Sequence, residues 1–156
     1  MKQRDQVIMT PDETAAFLAA GRKVQLATIN RDGTPHLVTM YYVLTGGKIT
    51  FWTYRSSQKA LNLARDPRVT CLVETGEQYF DLRGVQVRGR VRLIGDPAEV
   101  REIGRRIAGV MAGQDLGPLE DYVAHAARKR VAFVVEPERV SSWDHARLLP
   151  PGGAAG

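Results

Sequence analysis

Between Tyr54 and Arg68 the chain reads YRSSQKALNLARDPR, and its charges run against the usual sense of a helix. Helix N-termini carry partial positive charge and favour nearby acids. Here a helix predicted over Ser57–Arg65 opens on Arg55, Ser56, Ser57 and Lys59, and its first acid is Asp66. With Ser56 as the cap, the N–H groups of Ser57, Gln58 and Lys59 lack helical partners and point outward. Together with two hydroxyls and two cations they could wrap a phosphate or carboxylate. Asn62, one turn beyond Lys59, falls on a neighbouring part of that surface. The plain alternative is a serine-capped surface helix with solvated cations.

Aromatic residues stand close by in sequence. The stretches TMYYV and FWTY place Tyr41, Tyr42, Trp52 and Tyr54 on adjacent strands of one hairpin. Alternation puts Thr39 and Tyr41 on one face and Met40 and Tyr42 on the other, so one member of each pair can line a cavity. Strand packing alone accounts for any single aromatic. A flat ring with a phosphate tail would need the combination of stacking faces, strand-edge backbone and anion hook.

The elements that must position these groups are legible from local signals. Thr10, Pro11, Asp12 and Glu13 begin a helix that Gly21 stops. KVQLATIN, HLVTMYYVL and ITFWTY then read as three strands of an antiparallel meander, joined by RDGTP and TGGK. After the helix at Ser57–Arg65, RVTCLVE is a strand, and YFDLRGVQVRGRVRLI is a long one with bends or bulges expected at Gly84 and Gly89. Asp96 and Pro97 open an amphipathic helix with Val100, Ile103, Ile107 and Val110 on one face. PLEDYVAHAARKR is a further helix, and VAFVVEP and RVSSWDH are two closing strands. The pattern predicts an α+β, mainly β fold, a closed or partly closed antiparallel barrel with short flanking helices, over residues 1–149 as one domain. PPGGAAG, residues 150–156, is expected to be a disordered tail.

Composition narrows the classes. The chain has 156 residues, 44% hydrophobic and 25% charged, with a net charge of +5, as in an ordinary globular domain. The basic residues are scattered over several elements and carry no nucleic-acid motif, so no nucleic-acid partner is expected. No stretch suits a membrane span or a signal peptide. The single cysteine, Cys71, sits in an apolar strand, and a cytoplasmic setting follows as the expectation. His36, His125 and His145 lack ligand spacing, so no metal is proposed.

Taken in order, VQLATINRDGTPHLVTMYYV, ITFWTYRSSQKALNLARDPRVTCLVE and RGVQVRGRVRLI resemble the FMN-binding split-barrel superfamily, the pyridoxamine 5′-phosphate oxidase-like proteins. The similarity runs from about Lys23 to Ile94, with a weaker echo in PERVSSWDHARL. It implies a six-stranded antiparallel split β-barrel, a homodimer, and a cofactor at the subunit interface. Trp52 and Thr53 fall where those oxidases contact the flavin through a Tyr-Thr pair, and Lys59 falls on their phosphate-binding lysine. Gln58 replaces an arginine, Val38 and Val43 replace an arginine and a lysine, and Gly84 replaces a flavin-contacting glutamine. Trp143 lies near the C-terminal site segment, but WDHARL lacks the oxidases' substrate-phosphate pattern.

These departures look more like the flavin/deazaflavin oxidoreductase branch, which uses coenzyme F420 and keeps a lysine and an asparagine spaced like Lys59 and Asn62. The cofactor-binding set implied is Thr39, Met40 and Tyr41 on one strand, Trp52 and Thr53 on the next, Arg55, Ser57, Gln58, Lys59 and Asn62 beyond it, and Trp143. Arg65 and Arg68 are further candidate cations for the cofactor's anionic tail. The resemblance implies hydride transfer between reduced F420 and a conjugated small-molecule substrate. The alternatives are an FMN-dependent reductase or oxidase, or a non-catalytic flavin or haem binder. Tyr42, Tyr79 and His145 are candidate proton donors.

Overall fold

The computed structural model describes residues 1–113 and 119–152. The expected tail falls partly outside them; Pro151 and Gly152 form a turn, and Pro118, the first residue of the last predicted helix, also lies outside. In chain order the elements are helices α1 (Gln3–Gln6) and α2 (Pro11–Ala20), strands β1 (Lys23–Ile29), β2 (Pro35–Tyr41), β3 (Val43–Thr45) and β4 (Lys48–Tyr54), and helix α3 (Gln58–Arg65). Strands β5 (Arg68–Thr75) and β6 (Arg83–Ile94), helices α4 (Pro97–Ala112) and α5 (Glu120–Ala127), and strand β7 (Arg130–Asp144) complete it.

All seven strands form one antiparallel sheet in the order β2-β1-β5-β6-β7-β4-β3. Its two edge strands, β2 and β3, are separated in sequence only by Tyr42, so the sheet curls until its edges meet, as a split barrel. The count is seven rather than six because the predicted strand HLVTMYYVL breaks at Tyr42. There the Tyr42 N–H leaves the ladder and donates to the Arg22 carbonyl at 3.1 Å. The expected three-strand meander is thus two hairpins, β1–β2 and β3–β4, at opposite edges of the sheet. In the second, Gly46 and Gly47 have φ of 57° and 78°, the left-handed conformations that a two-residue hairpin turn requires.

Tyr42 also closes the barrel through its side chain. It is 1% exposed, and its hydroxyl donates to the Leu18 carbonyl of α2 at 2.5 Å. Burial pushes its pKa up to about 12, so this candidate proton donor is committed to structure. Tyr42→Phe leaves that carbonyl without a partner and is expected to cost about 1–1.5 kcal/mol, read as a lowered melting temperature.

The two predicted closing strands are a single strand, β7. Pro137, which cannot donate to a ladder, is accommodated because the β6–β7 register shifts at Arg88/Gly89, with Glu138 as the extra residue. The bulge expected at Gly89 is present. Two hydrophobic clusters result. The barrel interior holds Leu26, Phe51, Cys71, Val85 and Val135. The outer face of the sheet packs Trp52 and Val134 against Val100, Ile103 and Ile107 of α4. Burial pushes the Cys71 thiol up to about 12, as suits a core residue. Among the described residues no helix is long and apolar enough to cross a membrane.

Candidate cofactor site

The cluster of hydroxyls and lysine expected to act as an anion hook forms at the end of β4, shifted by one residue from the expected register. Ser57, not Ser56, caps α3, its hydroxyl accepting from the Ala60 N–H at 3.2 Å. The Thr53 and Ser57 hydroxyls lie 3.1 Å apart, and Lys59 Nζ donates to Thr53 Oγ1 at 3.3 Å. No acid lies in the first turn of α3. Lys59 is half-buried, desolvation lowers its pKa, and among the described residues no carboxylate pairs with it. The cost of keeping it charged there is what a bound anion would offset.

Lys59 opens onto a cavity of about 280 Å³. Thr39, Met40 and Tyr41 of β2, Trp52 and Thr53 of β4, and Lys59 itself all line it. The structure therefore brings six of the candidate residues together from three separate elements. Tyr54, noted among the hairpin aromatics but not in the cofactor set, completes the wall with Ile107, Met111 and Arg130, which were missing from the sequence-derived set. Ile107 and Met111 continue the apolar face of α4 at a spacing of four, a signal the sequence does contain. Arg130 has no local signal, since it reaches the site by pairing with Tyr54 across the β4–β7 ladder.

Arg130 brings a second cation to the cavity. Its guanidinium lies over the Tyr54 ring at 3.9 Å and the Trp52 ring at 4.8 Å, and Nη1 donates to the Ala126 carbonyl at 3.1 Å. Trp52 is largely buried and carries the Arg130 guanidinium over its ring, so little of the indole is free to stack on a ligand. A Cβ on Gly104 would come within 2.2 Å of Trp52 Cζ3, which shows how closely α4 lies on the indole.

The remaining candidates lie elsewhere. Arg55 donates to the Arg128 carbonyl at 2.5 Å and braces the end of α5. Gln58 donates to Asn62 Oδ1 at 2.8 Å, and neither lines the cavity. Asn62, expected at the surface, is 0% exposed and donates to Thr28 Oγ1 and Asn30 Oδ1, both at 3.0 Å. Arg65 donates to the Ile29 carbonyl, and Arg68 pairs with Asp66 at 2.7 Å, so both cations are committed locally.

Trp143 does not meet Lys59 within one chain. Trp52 pairs with Ala132 near the start of β7 and Gly84 with Trp143 near its end, roughly 35 Å apart along an extended strand. Trp143 lies instead in a second depression with Tyr79, Gln86 and His145. There the Tyr79 and His145 rings are 4.6 Å apart, and His145 Nδ1 lies 2.8 Å from the Tyr79 carbonyl oxygen. The structure explains Gly84: a Cβ there would fall 2.2 Å from Trp143 Cζ2, so the indole occupies the space of any longer side chain. Gly84→Ala is expected to displace the indole at about 1–3 kcal/mol, seen as a red-shifted Trp143 fluorescence and a lower melting temperature.

Comparison with known proteins agrees with this architecture. A solved structure of a conserved hypothetical protein, Rv2991 from Mycobacterium tuberculosis, is 37% identical with a TM-score of 0.87, covering 100% of this chain and 98% of that one. An F420 reductase structure is 27% identical with a TM-score of 0.64, covering 81% of this chain and 94% of that one. A pyridoxine/pyridoxamine 5′-phosphate oxidase of Cupriavidus taiwanensis is 27% identical over 147 residues, 89% of this chain and 68% of that protein. The sequence pattern of the family described as Pyridoxamine 5′-phosphate oxidase matches residues 10–144, which span every strand and the hook, cavity and indole described above. This chain belongs to that family.

Proposed function

We propose that the chain is an oxidoreductase that holds coenzyme F420 in the cavity between Tyr41, Trp52 and Lys59 and uses it to reduce a conjugated organic substrate. The observation that carries this reading is the half-buried, desolvated Lys59, hydrogen-bonded to Thr53 and facing an aromatic-walled cavity. Those residues fit a flat ring bearing a phosphodiester: Lys59, Thr53 and Ser57 would take the phosphate, with Tyr41 and Trp52 beside the ring. When bound, the deazaflavin would supply two-electron hydride chemistry. The protein's part would be to fix the ring and to keep water from it, with Ile107 and Met111 standing on the α4 side of the cavity.

FMN is the second reading, supported by the family match and by the relative named as an oxidase. F420 is preferred because the two positions at which the resemblance implies FMN-binding cations are apolar here. Val43 is buried against α4 in the outer cluster, and Val38 packs partly buried on the barrel interior. The Trp143 depression at the far end of β7 supports a homodimer in which a second copy brings that surface to the Lys59 cavity. Tyr79 and His145, both in that depression, would then stand nearest the substrate.

Parallel fluorescence titrations with F420 and FMN, at low and moderate salt, test the assignment. Tight F420 binding with weak FMN binding is expected. The reverse preference moves the protein to the flavin reading, and binding of neither removes the cofactor assignment altogether.

A further inference from the structure

We propose that the chamber between α2, the β3–β4 turn and the bulged part of β7 is a second ligand site, taking an amphipathic carboxylate with a long apolar body. The chamber has a volume of about 560 Å³, within the range of small-molecule pockets, and shares no lining residue with the Lys59 cavity. Its apolar floor is Met9, Leu18, Ile49, Val87 and Val135, all buried members of the barrel interior. A ligand body there would therefore rest on the main core rather than on a surface groove. At the rim, Ile8 is 48% and Val140 50% exposed. Single exposed apolar residues are ordinary, but these two border one apolar chamber.

The charge of the ligand follows from the arginines. Arg4 and Arg139 both line the chamber, and among the described residues neither has a carboxylate partner. Lys48, also on the lining, is different, because it is paired with Glu136. Arg4, with Ser141 and Ser142, also lines the Trp143 depression, so the chamber and the depression meet at a cation and two hydroxyls. A carboxylate head fits that junction, and its chain fits the apolar floor.

The test is a titration of the purified chain with dansylated undecanoate, displaced by dodecanoate or by dodecanol, with size-exclusion chromatography in parallel. Saturable fluorescence at one probe per chain is expected, with dodecanol displacing it about tenfold less effectively than dodecanoate because it lacks the charged hydrogen bond. Arg4→Ala/Arg139→Ala should bind the probe about tenfold more weakly. Ala15→Trp, which projects an indole from the exposed face of α2 into the chamber, should abolish probe binding while the F420 and FMN titrations stay unchanged. Thermal melts confirm that each variant is folded. The proposal is overturned by absence of saturable binding to the wild type, or by probe binding that survives Ala15→Trp. It is equally overturned if the wild type is a probe-refusing dimer that Ala15→Trp converts to monomers, since a second copy then covers the chamber.

Discussion

Lys59→Ala weakens cofactor binding by about 1.5–3 kcal/mol, the scale of one charged hydrogen bond, or roughly 10- to 150-fold in Kd. The fold does not suffer. Among the described residues the lysine's polar partner is the Thr53 hydroxyl, and its pKa is lowered by desolvation, so the native state holds the charged form at a cost. The sign of the linkage follows. A lysine whose folded pKa lies below its unfolded one lowers stability while it is charged in both states, and that cost lifts as pH rises through the folded value. Removing it therefore leaves the melting temperature level or slightly higher near neutral pH. Cofactor affinity runs the other way, because only the ammonium form can pair with a phosphate. Affinity should fall with rising pH from a point below the ordinary lysine range, and Lys59→Ala should lack that limb. Titrations and melts of both proteins between neutral and alkaline pH check both halves. An unchanged affinity in the variant would remove the anion hook.

The hook and the cavity were legible for different reasons. The hook is local: an acid-free helix start with serines and a lysine can be read within one turn, and only its cap was misplaced, by one residue. The cavity was legible through the family resemblance; alternation separates the exposed Tyr41 from the buried Tyr42, but Met40, which it puts on the Tyr42 face, lines the cavity beside Thr39 and Tyr41. Helix starts at Thr10–Pro11 and Asp96–Pro97, and the Gly46–Gly47 turn, are also local and match the structure. What could not be read is what depends on distant pairing. Arg130 enters the site because β7 lies beside β4, and nothing in its neighbourhood announces that. The break at Tyr42 reflects closure of the barrel, where one residue must leave both ladders and anchor to α2. The continuity of β7 through Pro137 depends on a compensating bulge opposite Gly89, a feature of two strands at once.

Asn62 is where the local reading and the folded protein part most clearly, and it carries the other large effect. At an exposed helix position an asparagine costs little to replace. Buried, it is the hub of four hydrogen bonds: it donates to Thr28 Oγ1 and Asn30 Oδ1 and accepts from Gln58 Nε2 and Arg65 Nη2. These bonds tie α3 to the end of β1, and so fix the helix that carries Lys59 against the barrel. Thr28 is itself 1% exposed, so water cannot replace the lost donor. Asn62→Leu, close in volume, is expected to cost about 2–4 kcal/mol, combining lost bonds with polar groups left unpaired. For a chain of this size that lowers the melting temperature by roughly 5–15 °C. Asn62→Asp keeps the two acceptor bonds but loses both donations and buries a charge beside Asn30 Oδ1, so it should be no better tolerated at neutral pH. It should improve in acid, where protonation restores one donor. Melts of the two variants across pH separate this account from a role in binding alone. If Asn62→Leu melted with the wild type while losing cofactor, the asparagine would be a contact and not a strut.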